Sequence, residues 1–302
     1  MNLERVPDLD SLELLLQVAS TGSLGRAGVA HGISQPAVTA RIRGMEGLVG
    51  FPLVARSARG STLTPAGALI ADWAREVLQA ATVLEAGIRS LRSDRDGRVR
   101  IAASMTVAEY LLPRWLVRLA RERPETAVSL EAMNSTEVGR AVLETSAELG
   151  FVEGPRIASG LAARVIANDR LVVVVPPSHP WARRRQRIEA EELAGTRLVH
   201  RERTSGTRAA LEAALAHLGP MATPLLELST TSAVRSAVAA GAGPAVLSDL
   251  AVGDDIAVGR LVEVPVHGVD LSRRLHAVWP KGQRPRGPAH DLLRIAEDVQ
   301  RS

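Results

Sequence analysis

The spacing of apolar residues changes once along this chain, near residues 93–97, and that change constrains the fold most. Before it, apolar residues recur with helical spacing; after it, short apolar runs alternate with helical segments. Strands that alternate with helices are typical of a doubly wound α/β architecture with a largely parallel sheet. The polar segment 93–97 is the predicted domain boundary. The roughly 205 residues beyond it favour two α/β lobes with a cleft between them.

Beyond the boundary, the pattern predicts the order of strands and helices. The predicted strands cover residues 99–103, 127–131, 148–152, 171–175, 196–199, 244–247, 261–264 and 275–278. The predicted helices cover residues 107–121, 135–145, 206–218, 231–240 and 287–300.

The N-terminal segment predicts three short helices and then a two-stranded wing over residues 51–64. Asp8, Ser23 and Ser34 are placed to cap the helices, and Pro36 lies in the first turn of the third, where its missing N–H costs nothing. The third helix has two contrasting faces, one apolar with Val38, Ile42, Met45 and Val49, the other polar with Gln35, Thr39 and Arg43.

A long helix is predicted from Thr64 to residue 92. Its apolar residues, spaced by three and four, form one seam: Leu69, Trp73, Val77, Ala80, Leu84, Ile88 and Leu91. Such a seam has nothing to bury against within a small domain, so a partner helix from a second copy is the favoured interpretation. Packing against the rest of the chain is the alternative.

Composition excludes several classes of protein. The chain has no cysteine, which excludes disulfides, thiolate zinc sites, iron–sulfur clusters and cysteine nucleophiles. No run approaches the roughly 18 apolar residues of a membrane span. The acidic N-terminus, with Glu4 and Asp8, is unlike a signal peptide. We therefore expect a soluble, cytoplasmic protein with no membrane partner.

The charge is mildly basic, with Lys+Arg 37 against Asp+Glu 33 and a formal net charge of +4. Residues 26–60 contain one acidic residue, Glu46, and a cluster of arginines: Arg26, Arg41, Arg43, Arg56 and Arg59. A local basic cluster is typical of a phosphate-contacting surface, although a solvated face is the alternative.

The segment from Ser23 to Ile42 resembles the helix-turn-helix of LysR-type transcriptional regulators. The run Ser34-Gln35-Pro36-Ala37-Val38 is highly specific to that family. The resemblance extends through the chain and implies a winged helix-turn-helix over residues 1–63, a dimerisation helix over 64–92 and an effector-binding domain over 93–302. That domain resembles periplasmic solute-binding proteins, with lobe I over about 98–168 and 269–302 and lobe II over about 169–268.

The resemblance implies that the third helix enters the major groove of double-stranded DNA. Gln35 could then pair with adenine, Arg43 with guanine, and Thr39 with a thymine methyl group. The expected DNA-binding residues are Ser34, Gln35, Pro36, Thr39, Arg43, Arg56 and Arg59. Three glycines lie inside the predicted helices, away from that face, and each should cost about 1 kcal/mol relative to alanine: Gly28, Gly44 and Gly47.

Hydroxyl and amide side chains mark four strand-to-helix junctions of the predicted effector domain. In this fold such junctions surround a ligand, and a helix N-terminus favours an anion. The expected effector-binding residues are Ser104, Thr106, Asn134, Ser135, Thr204, Ser205, Thr207 and Thr231. The expected effector is a small anion: a carboxylate, sulfate, sulfite or phosphorylated metabolite. Simple helix capping by each cluster is the alternative, and Arg208 either counters the anion or points to solvent.

Enzyme and transport functions find no support in the motifs. There is no Gly-x-Ser-x-Gly elbow or Gly-x-x-x-x-Gly-Lys loop, and the seven histidines show no metal-ligand spacing. We therefore predict a sequence-specific regulator that is a homodimer or homotetramer, that contacts RNA polymerase and that uses no cofactor or metal. The alternative is a cytosolic small-anion-binding protein whose DNA binding is weak or non-specific.

Overall fold

The computed structural model describes residues 4–57, 60–96 and 98–301. The chain divides into two compact units, Met1–Glu85 and Ala86–Ser302. Among the described residues, no helix is both long and apolar enough to cross a membrane.

The first unit consists of three short helices, a hairpin and a long helix. These elements are α1 (Leu9–Thr21), α2 (Leu24–His31), α3 (Gln35–Val49), β1 (Val54–Ser57), β2 (Gly60–Leu63) and α4 (Pro65–Asp96), which continues into the second unit. Asp8, Ser23 and Ser34 cap α1, α2 and α3 by accepting hydrogen bonds from backbone N–H groups. The helix starts therefore follow from local side-chain chemistry.

The core of the first unit lies between the three short helices, the start of the wing and the first turns of α4. Its most buried members are Leu14, Leu15, Val18, Ala27, Val38 and Leu53. Gly28 lies at the closest approach of α2 to the following turn, since a Cβ there would be 2.7 Å from the Ile33 carbonyl oxygen. Gly44 and Gly47 have open space around them. The three helical glycines are therefore not equivalent, and Gly28 is needed for packing.

The second unit is built from eleven strands and eight helices within the described residues. Its first half contains β3 (Arg98–Ser104), α5 (Met105–Tyr110), α6 (Leu112–Glu122), β4 (Ala127–Met133), α7 (Ser135–Leu143), β5 (Leu149–Glu153), β6 (Leu161–Val175), β7 (Ile188–Glu189) and α8 (Ala190–Gly195). Its second half contains β8 (Val199–Arg201), α9 (Gly206–Ala214), β9 (Leu226–Leu228), α10 (Thr231–Ala239), β10 (Ala245–Ser248), α11 (Asp249–Ala257), β11 (Val262–Val264), β12 (Val266–His267), β13 (Ser272–Pro280) and α12 (Gly287–Arg301).

One long strand, β6, runs through both lobes of this unit. Lobe I has the strand order β4-β3-β5-β13-β6, and lobe II continues from β6 through β10, β8 and β9, with β11 also pairing with β6. The segment of β6 up to Arg170 pairs with β13, and the segment from Leu171 pairs with β10 and β11. These pairings are antiparallel, whereas β3, β4 and β5 pair in parallel. The sheet is therefore mixed rather than largely parallel.

Each lobe has its own apolar core. Lobe I packs Trp115 and Phe151 between its sheet, α6 and α12, with ring centroids 5.5 Å apart. Lobe II packs the second half of β6 against helices on both sides, with Val173 in one cluster and Val174 in the other. Alternating valines thus give one strand two buried faces, as expected when helices cover both sides of a sheet.

Some elements differ from the expected ones. The helix expected over 107–121 is two helices that meet at Leu111, because Pro113 lacks an N–H and begins a new first turn. The strand expected over 171–175 is the second half of the 15-residue β6. The helix expected over 206–218 ends at Ala214 and is followed by a short 3-10 turn.

Candidate functional site

The residues expected to contact DNA lie at the start and on the outer face of α3. Ser34 Oγ accepts a hydrogen bond from the N–H of Ala37 at 3.4 Å, and Val38 on the inner face is fully buried. The other expected contacts on α3 face outward: Gln35, Pro36 and Arg43 are exposed, and Thr39 is half-buried. The helix therefore presents hydrogen-bonding side chains to solvent from a fixed, packed base.

Gln35 lies over the first turn of α2. A Cβ on Gly25 would be 3.4 Å from Gln35 Oε1 and 3.8 Å from Ser23 Oγ. Gly25 and the Gln35 amide therefore lie next to each other where α2 packs against α3.

Only part of the basic cluster is available to a ligand. Arg41 Nη1 pairs with Asp10 Oδ2 at 3.0 Å, and Arg26 donates to the Thr21 carbonyl. Arg43 is exposed and has no ion-pair partner among the described residues. Among the cluster's helical arginines, Arg43 is therefore the one free to bind an external group.

The wing is anchored by the cluster's single acid. Glu46 Oε1 accepts hydrogen bonds from the N–H groups of Leu53 at 2.8 Å and Val54 at 3.1 Å, where β1 begins. Arg56 pairs with Ser61 in the hairpin register. Its side chain and the whole of Arg59 lie outside the described residues.

Arg273 on β13 is the centre of a buried polar network between the two lobes. Its Nε donates to Asp169 Oδ2 at 2.7 Å, and its Nη1 donates to Thr207 Oγ1 at 3.0 Å. Its Nη2 donates to Thr106 Oγ1 at 3.3 Å and lies 2.9 Å from Glu153 Oε2. All five residues are buried, so one guanidinium stabilises two carboxylates and links lobe I to lobe II.

Five of the eight expected effector-binding residues are buried: Ser104, Thr106, Ser205, Thr207 and Thr231. Ser104 and Ser205 are fully buried, and neither hydroxyl has a hydrogen-bond partner among the described residues. Thr106 and Thr207 accept hydrogen bonds from Arg273, and Thr231 accepts one from Arg201 Nη1 at 2.8 Å. The structure therefore brings Thr106 of lobe I and Thr207 of lobe II together around the Arg273 guanidinium.

Two of the remaining three residues line a cavity of about 620 Å³ between the lobes. Ser135 and Thr204 line it, and Ser135 Oγ also accepts from the N–H of Glu153 at 3.1 Å. Asn134 caps α7 through a reciprocal pair of hydrogen bonds with Glu137. The capping alternative therefore describes the observed contacts of Asn134.

Two arginines at the rim of this cavity carry uncompensated charge. Arg156 lies on the lobe I side and Arg203 on the lobe II side, and both side chains are exposed. Neither has an ion-pair partner among the described residues. Arg208, in contrast, is buried and pairs with Glu212 and Glu227 at 2.7 Å each. It does not point to solvent, and its charge is already balanced.

The charged members of the Arg273 network were not among the residues predicted from the sequence. Glu153 and Asp169 lie within strands, and Arg273 lies one residue inside β13, so none follows a recognised motif. The available signal was a charged residue in or beside an apolar strand, which is costly to bury without a partner.

Burial also affects a histidine near the network. His200 on β8 is buried, and burial lowers its pKa below the ordinary value, assisted by the positive charge of Arg208. Burial therefore favours the neutral form of this side chain. In the part of the chain that the structure describes, no three His, Cys, Asp or Glu side chains are grouped to hold a metal ion.

Family models match most of the chain. Residues 9–68 match the "Bacterial regulatory helix-turn-helix protein, lysR family" model, and residues 92–301 match the "LysR substrate binding domain" model. The chain belongs to the LysR family. This LysR-family chain is therefore a transcriptional regulator and not an enzyme, with a helix-turn-helix DNA-binding domain and a two-lobed α/β effector-binding domain.

Known proteins agree with the LysR assignment. The chain is 46% identical over 299 residues to "Uncharacterized HTH-type transcriptional regulator Rv2282c" of Mycobacterium tuberculosis H37Rv, covering 96% of both. A full-length OxyR variant from Pseudomonas aeruginosa is 20% identical with a TM-score of 0.58, covering 96% of this chain and 99% of its own. The CcmR regulatory domain of Synechocystis PCC6803, in complex with 2-PG, is 25% identical with a TM-score of 0.61, covering 67% and 97%.

Proposed function

We propose that this LysR-family regulator reads specific DNA sequences with the outer face of α3 and contacts the backbone with the wing. The observation that supports this proposal is that Gln35, Thr39 and Arg43 face outward from a helix whose other face is buried. Glutamine and arginine can each make paired hydrogen bonds to a base edge in the major groove, and threonine can contact a thymine methyl group. Ser34 and Pro36 set the helix start, and Arg56 and Arg59 supply salt-dependent affinity.

We further propose that α4 pairs two copies, as a dimer or within a tetramer. Supporting this, apolar side chains along α4 are 39–65% exposed within one chain: Leu69, Trp73, Val77, Leu84 and Ile88. A stripe of large apolar side chains on a helix is stabilised by a facing helix. Paired recognition helices would then contact two half-sites on the DNA.

The proposed effector is a small anion that binds in the cavity between the lobes. Arg156 and Arg203 support this, because each offers an unpaired guanidinium to a carboxylate, sulfate or phosphate. The first turn of α9, at Gly206, adds backbone N–H groups at the same cavity. The CcmR domain, at 25% identity, is in complex with 2-PG, which supports ligand binding by this domain.

Effector binding is proposed to change the relation between the lobes. Thr106 and Glu153 of lobe I and Thr207 of lobe II share Arg273, so a shift of either lobe rearranges this network. An effector shifts such an equilibrium only by its differential affinity for the two arrangements. We propose that the shift alters DNA contacts and contact with RNA polymerase, in the cytoplasm.

The test is a gel-shift assay of the full chain on the DNA upstream of its own coding sequence, across a salt series. We expect a discrete complex that scrambled competitor DNA does not disrupt. Binding no tighter than to scrambled DNA, with and without phosphate or acetate, would instead favour the alternative, a small-anion-binding protein with weak or non-specific DNA binding.

A further inference from the structure

The cavity between the lobes has a polar rim and an apolar wall. The rim carries the two unpaired arginines and three hydroxyl-bearing residues: Arg156, Arg203, Ser135, Thr136 and Thr204. The wall is formed by lobe I residues from one apolar cluster and by alanines along α9 and just beyond it: Val152, Ile157, Leu161, Val278, Ala209, Ala213 and Ala216. A ligand that fills this space therefore contacts charge at one end and hydrocarbon along its length.

The size of the cavity is that of an organic molecule. Its volume is about 620 Å³, and ligand cavities of roughly 300–1,000 Å³ bury ligands of drug-like size. One water occupies about 30 Å³ of liquid. An inorganic oxyanion fills only a small part of this cavity and leaves the apolar wall in contact with water, which is unfavourable.

The charges at the cavity favour a single acidic group at the rim. The acidic residues that line it already have partners: Glu153 contacts Arg273 at 2.9 Å, and Glu212 contacts Arg208 at 2.7 Å. The two rim arginines come from opposite lobes, and neither has such a partner in the described part of the chain. A carboxylate between them can receive paired, charge-assisted hydrogen bonds.

From these features, we infer that the effector is an organic carboxylic acid with an apolar body, an aryl or branched alkyl acid, rather than an inorganic oxyanion. The carboxylate pairs with Arg156 and Arg203, and the body packs between the alanine side of α9 and the wall of Val152, Leu161 and Val278. This inference rests on the proposed function, because it specifies the ligand of the proposed anion site.

The experiment compares matched ligands on the full chain by isothermal titration calorimetry. The probes are sulfate, acetate and phenylacetate, with phenylacetamide as the uncharged analogue of phenylacetate. Each buried methylene strengthens binding by about 4-fold, so phenylacetate should bind at least about 10-fold more tightly than acetate. Phenylacetamide should bind more weakly than phenylacetate, because it lacks the charge that the rim arginines recognise.

Two pairs of variants locate the binding. Ala213→Leu fills the cavity from an exposed position on α9, so phenylacetate binding should fall about 10-fold or more while sulfate binding is retained. Ala120→Leu, at an exposed alanine on α6, is the matched control. Arg203→Gln should weaken every anion. Arg185→Gln changes an exposed arginine that does not line this cavity and should leave binding unchanged.

The outcomes separate the inference from the proposed function. Sulfate binding more tightly than phenylacetate, with loss in Arg203→Gln, would overturn the inference and leave the anion site standing. No binding of any of the anions, or binding that none of the cavity variants changes, would overturn both. Equal binding of phenylacetate and phenylacetamide would support binding of an apolar body in the cavity. It would contradict the inference that the ligand is a carboxylic acid.

Discussion

The outer face of α3 and the network around Arg273 are polar sites built in opposite ways. On α3, residues close in sequence are held by the cap at Ser34 and by a buried inner face, and their polar groups point to solvent. Around Arg273, residues more than 100 positions apart meet, and the guanidinium donates to a carboxylate and two hydroxyls inside the domain. The first arrangement suits binding a large external surface, and the second suits coupling two lobes.

The largest effect should come from breaking the network. Arg273→Met leaves Glu153 and Asp169 buried without their guanidinium, which should cost about 3–5 kcal/mol of unfolding free energy. Arg274→Met, at the exposed neighbour, should cost less than about 0.5 kcal/mol. Urea unfolding followed by tryptophan fluorescence measures both. Similar losses in the two variants would mean that the network contributes little to the stability of the domain.

Alanine substitutions at glycines of the first unit should change its stability according to the free space around each glycine. Gly28→Ala places a Cβ 2.7 Å from the Ile33 carbonyl oxygen and should destabilise the unit by about 1–3 kcal/mol. Gly44→Ala, in the same unit with open space around it, should stabilise α3 by about 0.5–1 kcal/mol. Hydrogen exchange of α2 and α3 amides reports both changes. Stabilisation by Gly28→Ala would contradict the close approach of α2 to this turn.

The contrast between the two sites also explains what the sequence could predict. The caps at Asp8, Ser23 and Ser34 and the two faces of α3 depend on neighbours within one helix, so spacing alone identified them. The Arg273 network depends on the pairing of β13 with β6, with Ser272 opposite Arg170. That pairing joins segments about a third of the chain apart, and local pattern carries no information on it. The closeness of Gly28 to Ile33 was hidden for the same reason.

The family motif carried information that spacing lacked. Strand-to-helix junctions at Ser104 and Ser205 were expected to converge because the resemblance implied a two-lobed fold, and both hydroxyls are buried between strands and helices of that fold. Nothing in the motif indicated the acidic partners Glu153 and Asp169. The positions of Ser104 and Ser205 directly before α5 and α9 were therefore predictable, whereas the buried charges of Glu153 and Asp169 were not.

On the outer face of α3, replacing a single side chain should change the specificity of DNA binding more than the stability of the chain. Arg43→Ala should weaken specific binding on the order of 10- to 100-fold, with a smaller loss on scrambled DNA, if Arg43 pairs with a guanine. Arg41→Ala is the matched control, because Arg41 is paired with Asp10. Gel-shift titrations on specific and scrambled DNA give the ratio. An equal loss on both would make Arg43 a contact to the backbone instead.

The smallest expected effect is the pH dependence of stability that buried His200 causes. Burial lowers the pKa of His200 in the folded chain, so the unfolded chain takes up a proton first as the pH falls. The stability is therefore complete above the unfolded histidine pKa of about 6.5 and falls below it, by at most about 1.4 kcal/mol per pH unit for one proton. His200→Gln should flatten this acid-side slope, whereas His217→Gln, at an exposed position, should leave it unchanged.

Burial also lowers the pKa of His179 and His276, so a slope should remain in the His200 variant. Urea unfolding at pH 5.5, 6.5 and 7.5 measures the slope. An identical slope in the His200 variant and the parent chain would contradict a lowered pKa of His200 in the folded state.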